Sequence, residues 1–192
     1  MSISLDLYSF ICNSLYMSKT TVRKSLEQFD AAELRQLIFD LYAKSKEAKE
    51  ILDFYAVPDI AKKLEEYKKP IAKEVWRYSR RAYRPRMQRI RSAIRKFTVL
   101  DPGDEAVGQL MVFTVLEFCR MAAGETLKDT TNEAVNKFFA ETLTHLDSRM
   151  MLDEYEPQLA KAIREMKDFR YYSNPLKRLL SETLSRHIEN RK

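Results

Sequence analysis

The chain has 192 residues, 45% of them apolar, and carries 34 Lys and Arg against 28 Asp and Glu for a formal charge of +6. That apolar share can bury an ordinary core, which excludes wholesale disorder, and three glycines among abundant Leu, Ala, Lys, Glu and Arg favour helices over sheets. The two cysteines, Cys12 and Cys119, match neither a zinc spacing nor a disulfide framework and suit a reducing cytoplasm.

Residues 1 to 16 hold Leu5, Tyr8, Phe10, Ile11 and Leu15, yet Met17-Ser18-Lys19 reads as a second beginning. Residues 1–16 are therefore expected to be an N-terminal extension ahead of one helical domain over 18–192. The extension lacks the basic flank and small-residue cleavage site of a secretory signal.

From Ser18, Val22, Leu26 and Phe29 recur at helical spacing. Asp30 with Glu33 predicts a capping box, and Leu34, Leu37, Ile38, Leu41 and Tyr42 are expected to be the buried face behind it. Ser45 opens a third helix, with Ala48, Ile51, Leu52 and Tyr55 on one stripe. Short helices with tight connections make αα-hairpins the natural unit.

Beyond Pro58 the stripe Ile60, Leu64, Tyr67, Ile71, Val75 and Tyr78 runs past Pro70, where a missing donor predicts a kink or break, the in-phase stripe favouring a kink. Ser79 to Arg84 is expected to be a loop, and Pro85 the first residue of a helix to about Leu100 with Met87, Ile90, Ile94 and Phe97 inward.

Asp101-Pro102-Gly103-Asp104 is a stop-and-restart signal, with Asp104 the expected cap of the next helix, 104–123. The polar residues of that helix, Gln109, Thr114, Glu117 and Arg120, fall within one arc of roughly 140°. A helix apolar on most of its circumference must be surrounded, so it belongs at the centre of the fold; it is too interrupted to span a membrane.

Gly124 ends it, and Thr130 with Glu133 predicts another capping box before Val135, Phe138, Phe139, Leu143 and Leu146. After the acidic run Asp153, Glu154 and Glu156, Pro157 is expected to open a helix with Leu159, Ile163 and Met166; Asn174-Pro175 opens the last, with Leu176, Leu179, Leu180 and Leu184. The expected fold is all-α, a single multi-helix domain of about seven to nine helices built from αα-hairpins around the buried 104–123 helix.

Several segments resemble a bacterial family of small helical proteins catalogued only as a domain of unknown function. They are Lys46-Glu47-Ala48-Lys49-Glu50-Ile51-Leu52-Asp53-Phe54, Glu65-Glu66-Tyr67-Lys68-Lys69, Ile94-Arg95-Lys96-Phe97, Leu110 to Glu117 and Leu152-Asp153-Glu154-Tyr155. Their order along Ser18 to Ile188 carries the resemblance. It implies an all-helical fold and a cytoplasmic setting, and supplies no catalytic residue. Arg170-Tyr171-Tyr172-Ser173-Asn174 does not match the aromatic, glycine-containing motif of the family in that region, so no function of this loop follows from the resemblance.

No phosphate loop, nucleophile elbow or paired histidines point to catalysis, and no cofactor is expected. His145 and His187 read as partly buried side chains rather than metal ligands. Charge is the distinctive feature. Between Lys62 and Lys96 fourteen Lys and Arg face only Glu65, Glu66 and Glu74, a balance of +11 that leaves −5 on the rest of the +6 chain.

Within that run Arg77, Arg80, Arg81, Arg84, Arg86, Arg89 and Arg91 are interleaved with Trp76, Tyr78 and Tyr83. Guanidinium groups grip phosphate bidentately and aromatic faces stack bases, so the junction is expected to bind nucleic acid or another polyanion. Two alternatives stand beside it. One is an interaction scaffold whose arginines meet an acidic protein or a second copy; the other is an enzyme or binder for a phosphorylated small molecule.

Overall fold

The structure, a computed structural model, describes residues 18–191 and is all-helical, as the sequence predicts. Among the described residues there are nine helices: α1 (Lys19–Leu26), α2 (Ala31–Lys44), α3 (Lys46–Ala56), α4 (Ile60–Val75), α5 (Met87–Val99), α6 (Asp104–Ala122), α7 (Asp129–Asp147), α8 (Leu152–Glu165) and α9 (Pro175–Asn190). One antiparallel hairpin, β1 (Tyr78–Ser79) with β2 (Ala82–Tyr83), joins α4 to α5. The expected extension, residues 1–16, lies outside the described residues. The chain divides into two compact units, Met1–Asp53 and Phe54–Lys192.

In the first unit the local signals act as read. Asp30 Oδ1 accepts from the Ala32 and Glu33 amides at 2.7 and 2.8 Å while Glu33 Oε2 accepts from the Asp30 amide at 2.9 Å, closing the capping box. The Tyr42 hydroxyl donates to Asp53 Oδ1 at 2.9 Å, tying α2 to α3 and raising the phenol above its ordinary pKa. The expected buried face of α2 does not form. None of residues 18–53 is buried: Leu34, Leu37 and Tyr42 are half-buried, and Ile38 and Leu41 are exposed by 46% and 48%. Helical spacing puts side chains on one face, but whether that face is covered depends on a second element.

The second unit is organised around α6, which packs against α4, α5, α7, α8 and α9. Part of its polar arc is covered too: Thr114 is fully buried, its hydroxyl donating to the Leu110 carbonyl at 2.8 Å, and Glu117 is only 7% exposed, while Gln109 is half-buried and Arg120 exposed. Around it Ile71, Phe97, Phe138, Phe139, Leu159 and Leu180 form one continuous core with Phe118 of α6 itself. Each such burial contributes about 1.5–3 kcal/mol. Gly108 permits a close approach, because a Cβ there would sit 3.1 Å from Leu146 Cδ2 and 3.2 Å from Met151 Cε.

That burial explains why Pro70 does not break α4. Leu64, Tyr67, Ile71 and Val75 stay in phase and buried across it, and together outweigh the ~3 kcal/mol of an interior proline. Pro157 likewise lies inside α8 rather than opening it. Buried Leu152 and Tyr155 carry the helix start back to Leu152, so Asp153 and Glu154 occupy its first turn.

Three other starts also differ. Gly103 at φ 92°, not Asp104, stands at the cap of α6. Lys128 caps α7: its carbonyl already accepts from Thr131 and Asn132 at 2.9 Å, so the Thr130–Glu133 box does not form. α5 begins at Met87, not Pro85, because the Arg84 amide is still bonded to the Arg77 carbonyl at 2.8 Å and the chain leaves the hairpin extended.

Asn174 opens α9 as expected, and does more. Its Oδ1 accepts from the Leu176 and Lys177 amides at 3.1 and 3.3 Å, while Nδ2 donates to the carbonyls of Ala122 and Lys167 at 2.7 and 3.2 Å. Asn174→Ala is expected to lower stability in urea denaturation by about 2–3 kcal/mol, the lost cap adding to carbonyls left without a donor. Asn174→Asp, although it retains the cap acceptor, should cost at least as much, because it sets a buried carboxylate oxygen against the Ala122 and Lys167 carbonyls.

Candidate functional site

The segment expected as a loop, Ser79 to Arg84, is a tight hairpin. Tyr78 pairs with Tyr83 and Ser79 with Ala82, and the two-residue turn is Arg80-Arg81. Both have positive φ, 52° and 62°, the backbone of a mirror-type hairpin turn that matches strand twist. Asn-Gly normally fills such a turn; an L-residue with a long side chain costs on the order of 1–2 kcal/mol at each position. An Arg-Arg pair carries no turn signal, which is why the hairpin is invisible to sequence patterns.

An aromatic stack ties the hairpin to the core. Trp76, the residue capping α4, donates Nε1–H to Glu117 Oε2 of α6 at 2.7 Å, and Arg120 pairs with the other carboxylate oxygen. Tyr83 meets the Trp76 ring edge-on at 5.8 Å and the Tyr78 ring edge-on at 5.3 Å. Tyr83 packs on the core, whereas Tyr78 is 63% exposed. The three aromatic side chains picked from the sequence are thus brought together. The residue that fixes them, Glu117, was visible only as a polar interruption of an apolar helix.

The seven arginines divide. Arg86 is clamped bidentately by Glu74 at 2.7 and 2.6 Å. Its hydrogen bonds, aided by the charges of Arg86, Arg89 and Arg77, hold the Glu74 carboxyl below the usual carboxylate range despite opposing desolvation. Arg91 is drawn to α7, where Glu141 takes both of its terminal nitrogens and the guanidinium lies 5.5 Å from the Phe138 centroid. Glu74 is one of the three acids within the basic run, whereas Glu141 does not stand out in the sequence.

Arg77 Nη1 donates to the Arg84 carbonyl at 3.2 Å and closes the hairpin base. Arg84 is half-buried, with Nε lacking a partner. Arg80, Arg81 and Arg89 are exposed, and their side chains make no hydrogen bond or ion pair among the described residues. Arg89 lines a shallow groove of about 470 Å³ with Pro85, Arg86, Gln88, Thr130 and Thr131.

Elsewhere the chemistry is quiet. Burial pushes the Cys119 thiol up to about 12, so it stays protonated. His145 Nε2 lies 3.2 Å from the Asp104 carbonyl, and His187 Nε2 lies 3.5 Å from Asp147, which also binds Arg191. No group of three or more His, Cys, Asp or Glu is placed to hold a metal among the described residues. None of the described helices is long and apolar enough to cross a membrane.

Fold and site together define an all-helical protein that presents an arginine-tipped hairpin from a buried central helix. The chain belongs to a family of unknown function (DUF6155), whose model matches residues 17–179 and so includes the hairpin. No curated protein and no solved structure matches it.

The depressed Glu74 pKa has a definite sign. Its contribution is complete above the ordinary value of 4.5 and is lost as pH falls through the lower folded value. Glu74→Gln is therefore expected to melt below the parent near neutral pH, and the gap to close in acid; a gap independent of pH would contradict the pairing.

Proposed function

We propose that the protein is a polyanion-binding module, with nucleic acid the leading ligand, and that the hairpin Tyr78–Tyr83 is its contact. The observation that carries this reading is the turn itself: two arginines occupy left-handed positions where Asn-Gly would be less costly, and their guanidinium groups stand exposed and unpaired. Backbone strain kept at an exposed tip is better explained by ligand contact than by stability. Exposed Tyr78 beside the tip supplies an aromatic face. The buried, free Cys119 accords with a reducing cytoplasm, the setting the family resemblance suggests.

Three unpaired arginines, Arg80, Arg81 and Arg89, set the expected salt dependence. For a single strand the slope of log affinity against log salt should be near −2, at about −0.7 per phosphate neutralised. The double variant Arg80→Asn/Arg81→Gly separates function from folding. It should raise stability by about 1–2 kcal/mol or more, because Gly removes the left-handed cost at position 81 and Asn lowers it at position 80. It should also weaken retention of a labelled oligouridylate in filter binding by about tenfold or more. Retention equal to the parent would remove the hairpin as the contact. If the parent retains neither RNA nor DNA at low salt, the interaction-scaffold alternative replaces this reading.

A further inference from the structure

The fold anchors a second arginine–tyrosine turn on the C-terminal part of α6. Between α8 and α9 the Phe169 amide donates to the Tyr172 carbonyl at 3.0 Å and their rings stack 5.0 Å apart, making a short reversal with Arg170 and Tyr171 at its tip. The Arg170 guanidinium lies 5.3 Å from the Tyr171 centroid. Tyr171 is 82% exposed and Tyr172 52%, an unusual placement for two adjacent large rings.

This turn is anchored as the hairpin is, on the last turns of α6. Asn174 Nδ2 donates to the Ala122 carbonyl, and the Tyr172 hydroxyl lies 3.3 Å from Thr126 Oγ1 just beyond the helix end. The hairpin is held at Glu117 through Trp76. Five residues separate Glu117 from Ala122, about 7.5 Å along the helix axis. Both tips pair exposed arginine with exposed tyrosine, Tyr78 at the first and Tyr171 at the second.

We infer that the polyanion taken by the arginine hairpin is a single-stranded nucleic acid, and that the Phe169–Tyr172 turn is its second contact. The inference rests on the proposed function and names the ligand form for it. Exposed ring faces gain nothing from polyphosphate, which has no bases. They gain little from a duplex, whose bases are already stacked on one another. An unpaired strand offers both parts, phosphates to the guanidinium groups and free base faces to Tyr78, Tyr171 and Tyr172. Arg170, already stacked on Tyr171, extends the platform and adds a cation beside the backbone.

The test compares three probes by fluorescence anisotropy at one low salt concentration. They are a labelled single-stranded, mixed-sequence oligonucleotide of about 12 nucleotides, within the ~4–16 spanned by single-strand sites, the same sequence as a duplex, and inorganic polyphosphate as competitor. The parent should bind the single strand at least several-fold more tightly than the duplex. Tyr171→Ala, at a side chain too exposed to matter for folding, should weaken single-strand binding about tenfold and leave duplex binding unchanged, while Tyr171→Phe should restore it.

Equal affinity for strand and duplex, or unchanged single-strand affinity in Tyr171→Ala, overturns this inference. If binding still falls in Arg80→Asn/Arg81→Gly, the proposed function survives that failure. A parent that binds none of the probes overturns both.

Discussion

Burying a carboxylate is costly unless donors replace the water it loses, and Glu117 sits in the middle of the most apolar helix of the chain. Two donors offset that cost: the Trp76 indole, from the end of α4, and Arg120, one turn along α6. The first of these makes the interaction structural beyond its own energy. An indole has a single N–H, so satisfying Glu117 fixes both the position and the tilt of Trp76. Tyr83 packs edge-on against that ring and Tyr78 against Tyr83, so the hairpin inherits its position from the carboxylate below it.

Local pairing decides what the charge of the chain can do. A balance of +11 between Lys62 and Lys96 suggests a broad basic face. Part of it is answered by carboxylates: Glu65 and Glu66 hold Lys68 and Lys63, Glu74 holds Arg86, and Glu141 reaches over from α7 to hold Arg91. Among the arginines of the junction, the exposed side chains with no carboxylate partner are Arg80 and Arg81 at the hairpin tip and Arg89. Net charge governs long-range attraction, but a site needs cations that no carboxylate has already claimed.

The features legible in the sequence are those decided within a turn or two of helix. The Asp30 box and the Asn174 cap depend on neighbours three residues away, and the burial of α6 follows from its own apolar circumference. What could not be read depends on distant partners or on tertiary override. Trp76 and Glu117 are 41 residues apart, and Arg91 and Glu141 are 50 apart. Pro157 is a sound start signal by local chemistry, yet buried Leu152 and Tyr155 place the start five residues earlier. The α2 stripe has faultless spacing without the cover that spacing seems to promise. At the candidate site, residue types were legible but pairing was not, so Arg77, Arg86 and Arg91, whose side chains have internal partners, looked the same as the other four.

Trp76 is the only tryptophan in the chain, and it lies at the root of the hairpin, 39% exposed and hydrogen-bonded to Glu117. Its intrinsic fluorescence therefore reports on this site alone. Titrating the full chain with an unlabelled single-stranded oligonucleotide should change the Trp76 emission saturably, with the same midpoint as binding followed by anisotropy. Binding with no change in that emission would place the ligand elsewhere on the molecule and contradict the account.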